Sequence, residues 1–176
     1  KNLTITHKKD NRVLLDKFNL VLNEGDKCAI IGEEGNGQST LLKLIFNEEL
    51  VDTYVDFSGE IIRNNSCIGY LAQELTREEK ARTIYEFMCE LPMFFELTPQ
   101  ELADAARKLK LTVELFYSEQ KMGELSGGEK IKLQLARLML MRPDVLLLDE
   151  PTNDIDVNTL RALEEGLEHF AGCAVI

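Results

Sequence analysis

The residues from Ile31 to Thr40, IGEEGNGQST, have the composition of a loop that binds phosphate. Gly32, Gly35 and Gly37 allow successive backbone N–H groups to converge on one anion, and the helix that follows adds its positive N-terminal end. The matching pattern, G-x-x-x-x-G-K-[ST], places a lysine on the β- and γ-phosphates and a hydroxyl on Mg²⁺. Ser39 supplies that hydroxyl here, so the chemistry predicted is the binding of a nucleotide with its metal.

The lysine of this pattern is replaced by Gln38. Its amide can donate a hydrogen bond but brings no charge, so we expect the loop to bind phosphate weakly. Taken alone, the loop is equally consistent with a glycine-rich turn without a function. The candidate phosphate-binding residues are Gly32, Gly35, Asn36, Gly37, Gln38, Ser39 and Thr40.

Two acids follow the apolar segment VLLL, which has the character of a buried strand. Asp149 can hold Mg²⁺, and Glu150 can orient or deprotonate an attacking water. Acids that cap a strand are common and are weak evidence alone. After a glycine loop, they indicate a site for a metal-bound nucleotide.

The segment LSGGE opens a helix and has two explanations. Ser126 and Glu129 have the spacing of a capping box, which is a sufficient local reason for both residues. A capping box does not need Gly127 and Gly128, which lower helix propensity. The two glycines therefore indicate that a ligand or another backbone comes close to the start of this helix.

The order of predicted elements places these motifs on an α/β fold. Short strands come first, then a strand over 27–31, the glycine loop and a helix, which is the context that the phosphate motif requires. Residues 47–59 show little periodicity and are predicted to form a surface connection, whereas 60–63 and 67–73 are predicted to be strands. The stretch 75–122 is helical and has no strand signal, and a capping box with proline is predicted at 98–101.

The second half of the chain alternates helix and strand. A helix follows Ser126, VLLL is a buried strand, and an amphipathic helix through Leu160, Leu163, Leu167 and Phe170 precedes the strand CAVI, which we expect to continue beyond Ile176. The predicted core is 1–74 with 124–176, and the predicted helical subdomain is 75–123, with the LSGGE segment at 125–129. The fold class is α/β, with a mainly parallel sheet, antiparallel N-terminal strands and a small inserted helical subdomain.

Composition narrows the function classes. The chain has 20 lysines and arginines against 31 aspartates and glutamates, a net charge of −11, which counts against broad attraction to a nucleic-acid backbone but leaves a local basic patch open. Its apolar runs are far shorter than the roughly 20 residues of a membrane span. We therefore expect no membrane insertion. Four single cysteines without a C-x-x-C pair favour a reducing, cytoplasmic location.

The order GEEGNGQST, YLAQ, LSGGEK and LLLDEPTNDID resembles the nucleotide-binding domain of an ABC ATPase over nearly the whole chain. Within that group, LSGGEKIKLQLARLMLMRPDVLLLDEPTN and the short helical lobe resemble the ABC-F class, soluble translation factors with two such domains in tandem. Transporter domains more often carry Gln-Arg after the glycines of the LSGGE signature.

The resemblance implies a P-loop NTPase fold, ATP and Mg²⁺ as cofactors, and a role for each motif. The glycine loop would be the Walker A motif and the strand ending in Asp149 the Walker B motif. The implied roles are Ser39 on Mg²⁺, Gln73 sensing Mg²⁺ and the γ-phosphate, Asp149 supporting Mg²⁺, Glu150 as the catalytic carboxylate, and Ser126, Gly127 and Gly128 facing the nucleotide of a partner domain.

Three departures from the family pattern limit the activity expected. Gln38 replaces the loop lysine, Lys9 stands where an adenine-stacking aromatic is common, and the family's switch histidine would come after CAVI. The leading interpretation is a cytoplasmic ABC-F ATPase domain, inactive by itself, whose partners are a second ABC domain and the ribosome, in translation control or antibiotic resistance. The alternatives are an ATPase subunit of an ABC transporter and a degenerate, non-hydrolysing half-site.

Overall fold

The computed structural model describes residues 1–33, 35–152 and 156–176. They divide into two compact units. The first comprises Lys1–Tyr70, Asp144–Asp149 and Ala171–Ile176, and the second comprises Leu71–Pro143 and Glu150–Phe170. The boundaries predicted from the sequence, after residues 74 and 123, stay a prediction.

Strands and helices are numbered along the chain. The strands are β1 Leu3–His7, β2 Val13–Phe18, β3 Lys27–Cys28, β4 Val55–Ser58, β5 Ile68–Leu71, β6 Val145–Leu148 and β7 Cys173–Val175. The helices are α1 Gln38–Phe46, α2 Arg77–Ala81, α3 Ile84–Cys89, α4 Pro99–Lys108, α5 Gly127–Met141 and α6 Val157–Glu168.

An antiparallel sheet of three strands, in the order β2-β1-β4, forms one part of the first unit. Its buried side includes Leu3 and Ile5, which pack with α1 residues in one apolar cluster. The surface connection predicted over 47–59 is wrong for its second half, because Val55 pairs with His7 and Ser58 with Thr4. The sequence shows only a weak strand pattern here, because β4 is stabilised by its pairing with β1 and not by its own residues.

A second sheet, in the order β3-β7-β6-β5, carries the site. β7 pairs in parallel with both β3 and β6, so the predicted parallel core and the predicted strand at CAVI are confirmed. The strand predicted over 27–31 is shorter, although the Ile30 N–H donates to the Ile176 carbonyl at 2.8 Å and extends the pairing. The strand predicted over 60–63 is wrong, since these residues belong to no strand, although the Glu60 N–H donates to the Lys1 carbonyl at 3.0 Å just after β4.

The second unit is mainly helical, as the sequence predicts for 75–122. Capping boxes start four of its helices, and two of them, Thr98 with Glu101 and Ser126 with Glu129, are those that the sequence predicts. Helix α6 ends at Glu168, so Phe170 lies beyond the predicted amphipathic helix. None of the helices in the described part of the chain is long and apolar enough to cross a membrane.

Candidate functional site

The glycine loop leads directly into α1. Gly37 precedes the helix with φ +91°, a left-handed conformation that favours glycine. A Cβ at this position would also stand 3.0 Å from Cβ of Leu14 in β2, so the neighbouring strand restricts the loop to glycine. The Asn36 N–H donates to the Glu33 carbonyl at 3.2 Å, which closes a turn ahead of the helix. Glu34 lies outside the described residues.

Gln38 is the first residue of α1, and its side chain folds back over the start of the loop. A Cβ placed on Gly32 would stand only 2.6 Å from Nε2 of Gln38, so the amide lies directly against the Gly32 backbone. Farther along the loop, the Arg12 guanidinium donates to the Gly35 carbonyl at 2.9 Å. The position predicted for a lysine thus holds a neutral amide packed on the loop itself.

Ser39 and Thr40 stand in the first turn of α1, and Ser39 contacts the acid at the end of β6. Its hydroxyl donates to Oδ1 of Asp149 at 2.7 Å, across 110 residues of sequence. The second oxygen, Oδ2, accepts a hydrogen bond from the Tyr70 hydroxyl at 2.9 Å. Asp149 is buried, with 3% of its surface exposed, so the two hydroxyls hold a carboxylate that water hardly reaches.

This set of groups fits Mg²⁺, because a hydroxyl beside a buried carboxylate offers the hard oxygen ligands that the ion takes in proteins. Tyr70 is absent from the residues predicted from the sequence. The available signal is an inward-facing tyrosine on the strand that ends before Gln73, but nothing local links it to an aspartate 79 positions later.

Gln73 and Glu150 both belong to the second unit, and their side chains meet. Nε2 of Gln73 donates to Oε2 of Glu150 at 3.0 Å, and both side chains are exposed. Glu150 has φ +46°, a left-handed backbone that costs a side-chain-bearing residue about 1–2 kcal/mol. Strain of this kind often marks functional positions, and here it falls on the residue predicted to act on water.

At the start of α5 the capping explanation for Ser126 is realised in full. The Ser126 hydroxyl accepts from the Glu129 N–H at 3.3 Å, and the Glu129 carboxylate accepts from the Ser126 N–H at 2.9 Å. The Ser126 hydroxyl also donates to the Glu129 carboxylate at 2.7 Å, and this bond, followed by the one from the Ser126 N–H, lowers the pKa of the Glu129 carboxyl. Gly127 is exposed and Gly128 half-buried, so a role toward a partner stays a prediction for both.

Asp156 begins α6 just after residues 153–155, which lie outside the described part of the chain. Its carboxylate accepts from the Thr159 hydroxyl at 2.7 Å and from the Asn158 N–H at 3.0 Å. Lys132, on α5, stands 3.1 Å from the same carboxylate. The Thr159 hydroxyl, followed by Lys132, holds the pKa of Asp156 well below its usual range. The start of α6 is thereby tied to α5.

Comparison with known proteins gives a consistent set of relatives. The profile of the family described as "ABC transporter" matches residues 15–153. The "Energy-dependent translational throttle protein EttA" of Escherichia coli K12 is 32% identical over 166 residues, 94% of this chain and 29% of that protein. The "mRNA export factor elf1" of Schizosaccharomyces pombe is 37% identical over 155 residues, 87% of this chain and 14% of that protein. The chain thus spans less than a third of these relatives.

Solved structures share the fold at lower identity. The putative cobalt transport ATP-binding protein cbiO-2, ST1066, superposes with a TM-score of 0.72 at 23% identity, over 100% of this chain and 68% of that one. The dimeric structure of MJ0796, titled a bacterial ABC transporter cassette, gives 0.67 at 22% identity, over 99% of this chain and 85% of that one. These likenesses confirm the predicted fold class.

Proposed function

This chain belongs to the ABC transporter family of ATP-binding domains, and from that membership we propose that it is the ATP-binding domain of a cytoplasmic ABC-F type ATPase that acts on the ribosome. The observation that carries ATP binding is the 2.7 Å hydrogen bond between Ser39 and Asp149, which joins the glycine loop to the strand-end acid. The name of one relative, a translational throttle protein, supports a role in translation control, and antibiotic resistance is proposed only from the resemblance to the ABC-F class.

The loop and α1 bind the phosphates. Backbone N–H groups after Gly32 and at the start of α1, with the positive end of the helix, attract the anion. Ser39 and Asp149 hold the metal ion, which neutralises phosphate charge when bound. Gln38 offers one amide hydrogen bond where a lysine would offer a charge, so the affinity is low.

Turnover depends on the second unit and on a partner. Gln73 orients the Glu150 carboxylate through their 3.0 Å hydrogen bond, and Glu150 positions or deprotonates the attacking water. Ser126 and the glycines after it face the nucleotide of a second ABC domain, in tandem or as a dimer. The chain by itself therefore binds ATP without measurable hydrolysis.

Two alternatives make different demands. An ABC transporter subunit needs a membrane-spanning partner, and the transporter titles of the structural neighbours keep this reading open, although at these identities they show the fold alone. A non-hydrolysing half-site is favoured by Gln38, since the missing charge removes phosphate binding energy. The net charge of −11 counts against broad attraction of this domain to ribosomal RNA, so its ribosome binding would use a local basic patch or other defined contacts.

The experiment has two parts. Calorimetry on the chain should detect weak binding of ATP with Mg²⁺, and no heat of binding would refute the nucleotide site. In a protein with two ABC domains and a lysine at position 38, Glu150→Gln should trap the ATP-bound closed state and raise co-sedimentation with ribosomes in the presence of ATP. Glu119→Gln, an exposed glutamate of the second unit, is the matched control and should behave as the parent. Recovery with membranes instead of ribosomes would favour the transporter.

A further inference from the structure

Tyr70 holds one oxygen of the predicted metal-supporting carboxylate. Its hydroxyl lies 2.9 Å from Oδ2 of Asp149, while the Ser39 hydroxyl takes Oδ1 at 2.7 Å. The Tyr70 ring stacks on Phe46, with centroids 5.2 Å apart and planes 29° from parallel. This stacking fixes the hydroxyl in position, so the carboxylate is oriented from both sides.

The consequence concerns how many oxygens Asp149 can offer to a cation. A carboxylate oxygen that accepts a tyrosine hydrogen bond inside a buried site is directed away from a second ligand role. Mg²⁺ requires near-ideal octahedral geometry at short distances, whereas Ca²⁺ takes six to eight oxygens and readily accepts both oxygens of one carboxylate. Because Ser39 is itself a proposed metal ligand, its hydrogen bond to Oδ1 gives way when the ion binds, whereas the Tyr70 hydroxyl stays on Oδ2. A carboxylate that offers one oxygen in this way favours the smaller ion.

We propose that Tyr70 is a positioning residue that sets the metal preference of the nucleotide site, favouring Mg²⁺ over Ca²⁺ by keeping Oδ2 of Asp149 occupied. The inference rests on the proposed ATP–metal binding. It adds to that proposal a role for Tyr70, the first residue of the YLAQ segment, and a metal selectivity for which the sequence analysis names no residue. The hydroxyl carries the effect, because the ring is already accounted for by its stacking on Phe46.

The test compares Tyr70→Phe with the parent chain. Phenylalanine keeps the stacked ring and removes only the hydroxyl, so thermal melting should show a folded variant. ATP affinity is measured by calorimetry with saturating Mg²⁺, with saturating Ca²⁺ and with EDTA. The ratio of Mg²⁺ to Ca²⁺ affinities should fall by about tenfold, equivalent to about 1.4 kcal/mol, while the affinity in EDTA stays the same. Tyr85→Phe, in the other unit, should leave the ratio at the parent value.

Each outcome separates the inference from the proposed function. A parent chain that binds no ATP under any condition refutes the nucleotide site and the inference with it. A parent that binds ATP with metal, with an unchanged ratio in Tyr70→Phe, overturns the inference alone. An equal loss of ATP affinity with Mg²⁺, with Ca²⁺ and with EDTA indicates that Tyr70 has a merely structural role, and this result also overturns the inference.

A second measurement tests the inference if the Tyr70→Phe variant does not fold. The chain with 3-fluorotyrosine at all four tyrosines is studied by ¹⁹F NMR, and phenylalanine variants at Tyr54, Tyr85 and Tyr117 assign the Tyr70 signal by elimination. That signal should respond differently when Mg²⁺ or Ca²⁺ is added to the ATP complex. Identical responses to the two ions overturn the inference.

Discussion

Gln38→Lys restores the charge that the phosphate loop lacks. Gln38 is the first residue of α1, and its amide lies against Gly32. A lysine stem follows the same path over the loop and carries an ammonium group to the phosphates, as in the family pattern. The start of α1 does not have to change, because the left-handed Gly37, with φ +91°, already sets where the helix begins.

The magnitude follows from the kind of hydrogen bond that is gained. Hydrogen bonds to charged groups contribute about 1.5–3 kcal/mol. At about 1.4 kcal/mol per factor of ten, Gln38→Lys should tighten ATP binding by roughly 10- to 150-fold. Turnover should stay absent as long as the chain is monomeric, because the proposed ABC site forms between two domains.

Calorimetric titration with ATP and Mg²⁺ measures the change. Gln120→Lys is the matched control, since it adds the same charge at an exposed glutamine of the other unit and should leave the affinity within error of the parent. The reasoning is refuted if the parent chain already binds ATP as tightly as Gln38→Lys. It is also refuted if Gln120→Lys tightens binding equally, because net charge would then explain the gain.

Three further predictions concern stability. Ser126→Ala should lower the free energy of unfolding by about 1 kcal/mol, because the cap of α5 is lost, and should leave ATP affinity unchanged. The control is Thr112→Ala, at a cap with no side-chain hydrogen bond, which should lower the free energy of unfolding by less in the same chemical melts. Glu150→Gly should raise the free energy of unfolding by about 0.5–1 kcal/mol by relieving left-handed strain; a decrease in melts would contradict this. Folding lowers the pKa of Asp156, so its stabilisation is present above the unfolded pKa of about 3.9 and is lost as pH falls below it. Asp156→Asn should therefore flatten the acid limb of stability against pH, and an unchanged limb would refute the assignment.

Local signals in the sequence predicted the elements whose stability is local. Ser126 and Glu129 specify the start of α5 by themselves, and the capping box forms as expected. Local patterns also predict the apolar strand before Asp149 and the glycine loop before α1. In contrast, β4 depends on its partner: Val55 is paired with His7, far away in sequence, and its own segment is acidic and aperiodic.

The candidate site likewise contains some residues that local motifs predict and others that depend on distant contacts. Ser39 and Asp149 were predicted from motifs, and the structure brings them within 2.7 Å. Tyr70 could not be predicted, because its role rests on a contact with a residue 79 positions away. The sequence predicts Glu150 as the catalytic carboxylate. Its left-handed backbone follows from the turn after β6, which no local pattern specifies.

The position of β7 has a consequence for synthesis of the protein. Cys173–Val175 is made after every other strand of the parallel sheet, yet it lies between β3 and β6 and hydrogen-bonds to both. Until this segment leaves the ribosome, β3 and β6 expose unpaired edges, a state prone to association with other chains. The residues of the helical unit up to Pro143 emerge earlier and already contain four capped helices. Folding on the ribosome should therefore proceed from the helical unit, and the sheet that carries Asp149 should close last.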